Sequence, residues 1–281
     1  MAKLATIRKQ IKLVEEIQHV TRTMKTISAV RWRMGKGTVD RINNFTQKLE
    51  NILKAVSFCF PLSPPGDILV LGIFSDKGLV GNFNQLLAYK ITDFMSTQEK
   101  DKVKLAILGS QGRNLISGEL MFFQELSIRQ LPRYWDIRDL VYKIEELRKE
   151  GKFTHLYLAF NRYISVSQHR AEVVPVLPLP LEERYEKEAQ EKYLFLSDTK
   201  LLAERLSFEY LFASVYRAIV ESFISEQATR LTIMDAATNH AQDMIESLTT
   251  WYHKMRQEQI TQELNEVSSA YQVLENKLRS K

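Results

Sequence analysis

Glycine and proline are missing from both ends of this 281-residue chain: all ten glycines and seven prolines lie between Gly35 and Pro180. The first 34 residues and the last 101 hold neither. Because these residues cost about 1 and 3 kcal/mol inside a helix, such tracts predict long unbroken helices at both termini. Cysteine is almost absent as well. Cys59 stands alone, which excludes an intramolecular disulfide, a redox pair and a cysteine-rich metal site, and suits a reducing compartment. No run approaches 18 consecutive apolar residues, and the N-terminus lacks the apolar core of a secretory signal, so membrane association is expected only through partners. Catalytic signatures are missing too. The glycine-bearing turns SDKGLVGNFN (75–84) and GSQGRN (109–114) match neither the dinucleotide fingerprint nor the phosphate loop, and no nucleophile elbow is present. They read as tight strand-to-helix turns, with Asp76 beside Lys77 as an exposed ion pair or an Asx-turn. The five histidines show no ligand spacing, so no metal or cofactor is expected.

What is present is helical periodicity and uneven charge. Net charge is +5, yet residues 1–36 carry nine basic and two acidic side chains, or +7, leaving −2 for the rest. Such a basic helix suits nucleic acid, an anionic surface, an acidic protein or a merely solvated face. Leu4, Ile7, Ile11, Val14, Ile17, Val20, Met24 and Ile27 recur in steps of three and four, predicting a helix-pairing seam. The helix is weakened at Gly35 and Gly37, then resumes to about Phe58. A second helix runs from about Thr199, with Phe208, Leu211, Val215, Ile219, Phe223, Met234 and Ala241 at helical spacing.

Between them the pattern changes. Apolar, β-branched runs at 68–74, 103–109 and 155–160 read as buried strands, and 171–179 as a strand that its prolines confine to an edge. Helical patterns are expected at about 82–96, 111–117 and 136–149. The fold class is α/β: a long antiparallel coiled coil of the terminal helices (1–58 and 199–281) with a Rossmann-like α/β domain (66–198) inserted between them. One stretch departs from a dry seam. Residues 255–267 set Arg256, Gln257, Gln259, Thr261, Gln262, Glu263 and Asn265 around only Ile260 and Leu264, which fits either exchangeable contact with several partner surfaces or a solvated face.

Three separated motifs carry a resemblance to the gamma subunit, the central rotor shaft of F-type ATP synthases. TRTMKTISAVRWR (21–33) is similar to T-x-A-M-K-M-V-A-A-x-K-x-R, and SDKGLVGNFN resembles S-D-R-G-L-C-G-G-F-N. EQATRLTIMDAATNHA (226–241) and MRQEQITQEL (255–264) are close to the family's C-terminal motifs. The resemblance covers the whole chain. It implies a non-catalytic subunit, one copy per complex, turning within an alpha/beta hexamer and coupling proton or sodium flow to ATP synthesis or hydrolysis. It implies epsilon and the membrane c-ring as further partners, no nucleic acid, and a peripheral location on the cytoplasmic face of the membrane. By motif, Arg256 and Gln257, with Thr261 nearby, match the residues that bond an acidic loop of beta. Arg8 and Lys9 belong to the basic excess facing that loop. Met24 and Lys25 match a coupling position, Arg230 an arginine facing it, and Asp76, Gly78 and Gly81 the turn of the foot domain. The last residues would sit in the apolar bearing atop the hexamer. Departures point to a divergent member, such as an alternative rotary ATPase would carry: Val80 and Asn82 in the turn, Tyr271 where a small residue is usual, and Leu196 at an acidic position near the foot. The cysteine pair of thiol-regulated chloroplast members is absent. Two rival readings are a nucleotide-binding enzyme dimerised by its helices, and a coiled-coil scaffold or nucleic-acid binder using the basic helix.

Overall fold

The computed structural model describes residues 2–56, 65–99, 102–116, 120–124, 131–179 and 198–279. Cys59 and Leu196 lie outside them. Two long helices draw on the terminal tracts that lack glycine and proline: α1 is Ala2–Ala55, and the C-terminal helix is Thr199–Arg279. Gly35 and Gly37 leave α1 unbroken. Between the two helices run β1 (Ile68–Ile73), α2 (Phe83–Ser96), β2 (Val103–Leu108), β3 (Leu120–Gln124), α3 (Arg138–Lys149), β4 (His155–Ser165) and β5 (Gln168–Leu177), so the C-terminal helix is α4. The expected helix over 111–117 is replaced by a 3-10 turn at Ser110–Gly112. A Cβ on Gly112 would lie 2.3 Å from the Phe74 ring, so only glycine fits against that ring. The sequence reading also passed over β3.

The chain divides into two compact units, residues 1–26 with 234–281, and residues 27–233. In the larger unit the five strands lie in the order β3-β2-β1-β4-β5, parallel except for the antiparallel β4–β5 hairpin. β5 lies at an edge, as Pro175 requires, since a prolyl nitrogen cannot donate to a second neighbour. Both faces of the sheet are covered, so β1 is a continuous apolar run. Alternation sends Leu69, Leu71 and Ile73 into one core with Ile42, Leu49 and Leu53 of α1, Leu140 and Ile144 of α3, and Leu211, Val215 and Ile219 of α4. Val70 and Leu105 point the other way, onto Leu87, Ala88 and Ile91 of α2. Antiparallel pairing of the long helices follows from Glu50 meeting Tyr210. Farther along, a Cβ on Gly35 would lie 2.5 Å from Ile224 Cγ1.

The smaller unit is an antiparallel helix pair. Lys25 meets Asp235, Thr21 meets Thr238 and Gln18 meets Gln242, partner numbers rising as α1 numbers fall. The expected seam needs correction here. Ile7 and Val14 are buried, but Ile17, Val20 and Ile27 are 41–56% exposed. Along α1, positions 7, 14, 21, 28, 35, 42 and 49 are buried; beside them 4, 11, 18, 25 and 32 are half-buried and 39, 46 and 53 buried, with Ala55 buried at the helix end. That is a seven-residue repeat, and its middle layers hold Gln18, Thr21, Lys25, Ser28 and Gly35 where apolar letters were expected.

Candidate functional site

The late turns of α4 present a polar, fully available surface. Arg256, Gln257, Thr261 and Gln262 are exposed, as are Ile260, Leu264, Val267 and Tyr271. Their side-chain bonds run along the helix: Gln259 Nε2 donates to Glu263 at 2.8 Å, Gln262 Nε2 to Glu266 at 3.0 Å, and the Thr261 hydroxyl to Gln257 O at 3.0 Å. The Gln257 amide and the Arg256 guanidinium make no hydrogen bond or ion pair among the described residues, which leaves both groups directed outward. Arg8 and Lys9 are likewise exposed on α1.

Nearer the end of the unit, polar groups lock the helix pair. Lys25 Nζ lies 2.5 Å from Asp235 Oδ1, both side chains half-exposed. The Thr21 and Thr238 hydroxyls are 2.9 Å apart and buried, and Gln18 Nε2 donates to Gln242 Oε1 at 2.8 Å. Met24 is half-buried beside this run. Asp235, Thr238 and Gln242 escaped the sequence reading because nothing local marks them; only their partners across the seam give them meaning.

In the larger unit the two glycine-bearing turns bind each other. Ser75 is bracketed by Asn84, whose Oδ1 accepts from the Ser75 amide at 3.1 Å while its Nδ2 donates to the Ser75 hydroxyl at 2.8 Å. Asp76 ties the first turn to the second: its Oδ1 accepts from the Ser110 amide at 3.0 Å and its carbonyl from the Ser110 hydroxyl at 2.7 Å. Leu79 (φ 62°) and Gly81 (φ 56°) turn the chain through the left-handed region. A cleft of about 260 Å³ lies between the turns, lined by Gly81, Asn84, Gln85, Ser110, Gln111 and Asn114.

Arg230 goes to this turn. It donates to Gly78 O at 3.2 Å and Lys77 O at 3.4 Å, and pairs with Glu226 one helical turn earlier at 2.6 Å. Burial pushes the Glu226 carboxyl above its ordinary range, and Arg230 partly offsets the shift. The structure thus gives Lys25 the partner Asp235 and Arg230 the 77–78 carbonyls. Among the described residues no three His, Cys, Asp or Glu side chains gather as a metal site, and no helix is long and apolar enough to cross a membrane.

Residues 3–274 match the family described as ATP synthase. A protein called ATP synthase gamma chain from Pasteurella multocida is 28% identical over 282 residues, covering 95% of this chain and 98% of its own. Another of that name from Pelotomaculum thermopropionicum is 25% identical over 285 residues, covering 98% and 100%. Among solved structures, a chain of the Euglena gracilis mitochondrial ATP synthase OSCP/F1/c-ring assembly superposes with a TM-score of 0.71 at 15% identity, covering 97% of this chain and 95% of that one. A chain of the Tetrahymena thermophila mitochondrial central stalk and c-ring gives 0.56 at 18% identity, covering 78% and 99%. The likeness therefore extends through both long helices and the sheet.

Proposed function

The chain belongs to the ATP synthase family as a gamma chain, the central-stalk rotor of that complex, and we propose that it performs no chemistry itself but turns among catalytic subunits and sets their states. Its partners are the alpha/beta hexamer and the c-ring. Epsilon is a further expected partner, and the c-ring is the route by which a chain of this kind meets the membrane, on its cytoplasmic face and in one copy per complex. A shaft without a ligand can drive a conformational cycle because each subunit state offers it different contacts, and differential contact free energy shifts an equilibrium.

The observation that carries this reading is the outward, unpaired polarity of Arg256 and Gln257 on the late turns of α4, where Gln259, Thr261 and Gln262 bond only along the helix. Amide and guanidinium groups can release one acceptor and take the next without burying an unpaired charge. An acidic loop on beta is the acceptor class that suits them, and Arg8 and Lys9 add attraction at longer range. Hydrogen bonds to a charged group contribute about 1.5–3 kcal/mol, so Arg256→Ala or Gln257→Ala is expected to lower coupled ATPase turnover roughly tenfold or more while leaving assembly intact. The test is co-expression with the host's alpha and beta subunits, then size-exclusion and ATPase assays. A complex with one copy of this chain per three alpha and three beta, its turnover dependent on this chain, is the expected outcome. Wild-type turnover in well-assembled variants would remove these two residues from the coupling surface.

A further inference from the structure

Within the larger unit, α4 changes how it holds the sheet. Through residues 203–219 it packs by apolar side chains, among them Ala203, Leu211, Val215 and Ile219. From Ser222 the same face becomes a stripe of hydroxyls at steps of 3, 4 and 3. Ser222 Oγ donates to Ile73 O at the end of β1 at 3.3 Å, and Ser225 Oγ to Asn161 O of β4 at 2.9 Å. Thr229 Oγ1 lies 3.2 Å from His169 Nδ1 of β5, and the single proton of the Thr232 hydroxyl is shared between Ala228 O of its own helix at 3.2 Å and Val166 O in the β4–β5 turn at 3.3 Å. Thr229 donates to its own helix at Ser225 O, so it accepts from an Nδ1–H of His169. Arg230 adds its two bonds to the 77–78 carbonyls. Glu221 lies 3.7 Å from Arg162, which pairs with Glu172 of β5 at 3.0 Å.

We propose that this hydroxyl stripe, Ser222, Ser225, Thr229 and Thr232, is the joint through which the sheet domain and α4 pass torque to each other, an inference that rests on the rotor reading. Torque about a helix axis loads the helix–sheet contact in shear. Apolar packing resists separation, but it is non-directional and opposes sliding weakly. A hydrogen bond weakens steeply once its distance and angle leave a narrow range, so it opposes sliding directly. The stripe has short side chains with little rotamer slack, and it grips three strands and a turn, spreading the load over separate chain segments. It runs from the carboxyl end of β1 across β4 to the edge strand β5 and the β4–β5 turn.

The test uses the whole complex, with alpha, beta, epsilon and c-ring, reconstituted in vesicles. ATP hydrolysis and ATP-driven ion uptake (proton or sodium) are read together. One variant removes the four hydroxyls (Ser222→Ala, Ser225→Ala, Thr229→Val, Thr232→Val). A second, Thr229→Ser with Thr232→Ser, keeps them all. The expected result is hydrolysis within twofold of the parent in both, ion uptake per ATP lowered at least twofold in the first, and parent-like uptake in the second. Unchanged uptake per ATP in the first variant would overturn the proposal. An equal loss in the second would also overturn it, since the methyl groups rather than the hydroxyls would then matter. If the fourfold variant does not assemble, the Thr229→Val, Thr232→Val pair gives the same reading, because the buried serines remain. Failure of the rotor reading looks different: the parent chain itself would support no ATP-driven uptake, and both conclusions would fall.

Discussion

At the scale of single residues, the buried Glu226–Arg230 pair decides the most. Arg230 satisfies a carboxylate that burial disfavours and two turn carbonyls at once. Removing one member of a buried pair leaves an uncompensated charge, which destabilises by about 3–5 kcal/mol. Arg230→Met is therefore expected to lower the melting temperature of the larger unit by roughly 10 °C, at ~2–4 °C per kcal/mol. Adding Glu226→Gln should recover part of that loss. The pH sign follows from the raised carboxyl: an acid whose folded pKa lies above its unfolded value gains stability as pH falls through the folded value. Arg230→Met should thus be less impaired near pH 5 than near pH 8, and a melt series across that range checks it. His169 runs the other way. Burial lowers its pKa, so the fold favours neutral imidazole, and stability is lost as pH drops below the unfolded value of about 6.5. Wild-type melting temperature should fall between pH 7 and pH 5.5, and His169→Gln should flatten that fall. An identical slope in the variant would assign the acid sensitivity to other groups.

Among the elements, α1 teaches the most, because its seam is regular in position and irregular in chemistry. Two expected outcomes follow. Gly35 lies at a buried seam position, and a Cβ there would meet Ile224 Cγ1 at 2.5 Å and Cδ1 at 2.8 Å. Overpacking costs about 1–3 kcal/mol against a helix-propensity gain of about 1. Gly35→Ala should therefore lower stability by chemical denaturation, most so if Ile224 cannot change rotamer. Thr21 and Thr238 form a buried polar layer in the smaller unit. Each hydroxyl also reaches a carbonyl of its own helix, Thr21 to Gln18 O at 3.0 Å and Thr238 to Met234 O at 2.7 Å. Either single Thr→Val therefore removes only the bond across the seam and should cost about 0.5–1.5 kcal/mol by chemical denaturation, and the double substitution should cost less than the sum of the two singles. The same residues show why the sequence was only partly legible. The long helices, the edge placement of β5 and the parallel strands were readable from absent glycine and proline, β-branched runs and Pro175. Between Val14 and Gly35 the apolar letters of α1 do not mark its buried face. Ile17, Val20 and Ile27 lie on the outside, and Thr21, Ser28 and Gly35 lie within. β3 was missed because LMFFQ has no alternation of its own and becomes a strand only by pairing with β2. Of the candidate residues, Arg256 and Gln257 stood out by composition, while Asp235 and Thr238 depend on contacts more than 200 positions away in sequence.

At the scale of the whole molecule, the exposed apolar side chains and the basic N-terminal charge argue for a chain unfinished on its own. Leu13, Ile17 and Val20 are about half exposed on α1, and on α4 Ile260, Leu264, Val267 and Tyr271 follow steps of 4, 3 and 4 with exposures of 45–69%. A periodic apolar stripe in water marks a surface that another protein covers. In isolation it is available to second copies, so the purified chain should sediment as a concentration-dependent mixture, and adding alpha and beta should convert it to a one-copy complex. Burying a side chain of this size contributes about 1.5–3 kcal/mol. Leu264→Ser with Val267→Ser should therefore suppress self-association and weaken assembly with the alpha/beta hexamer by ~100-fold or more. The +7 charge of residues 1–36 adds a component screened within about 8 Å at physiological salt, so association with an acidic partner should also slow as salt rises. If the serine variant loses self-association yet assembles at wild-type affinity, the stripe lies outside the hexamer contact. The basic helix and the polar turns bearing Arg256 and Gln257 would then have to hold the shaft in place without it.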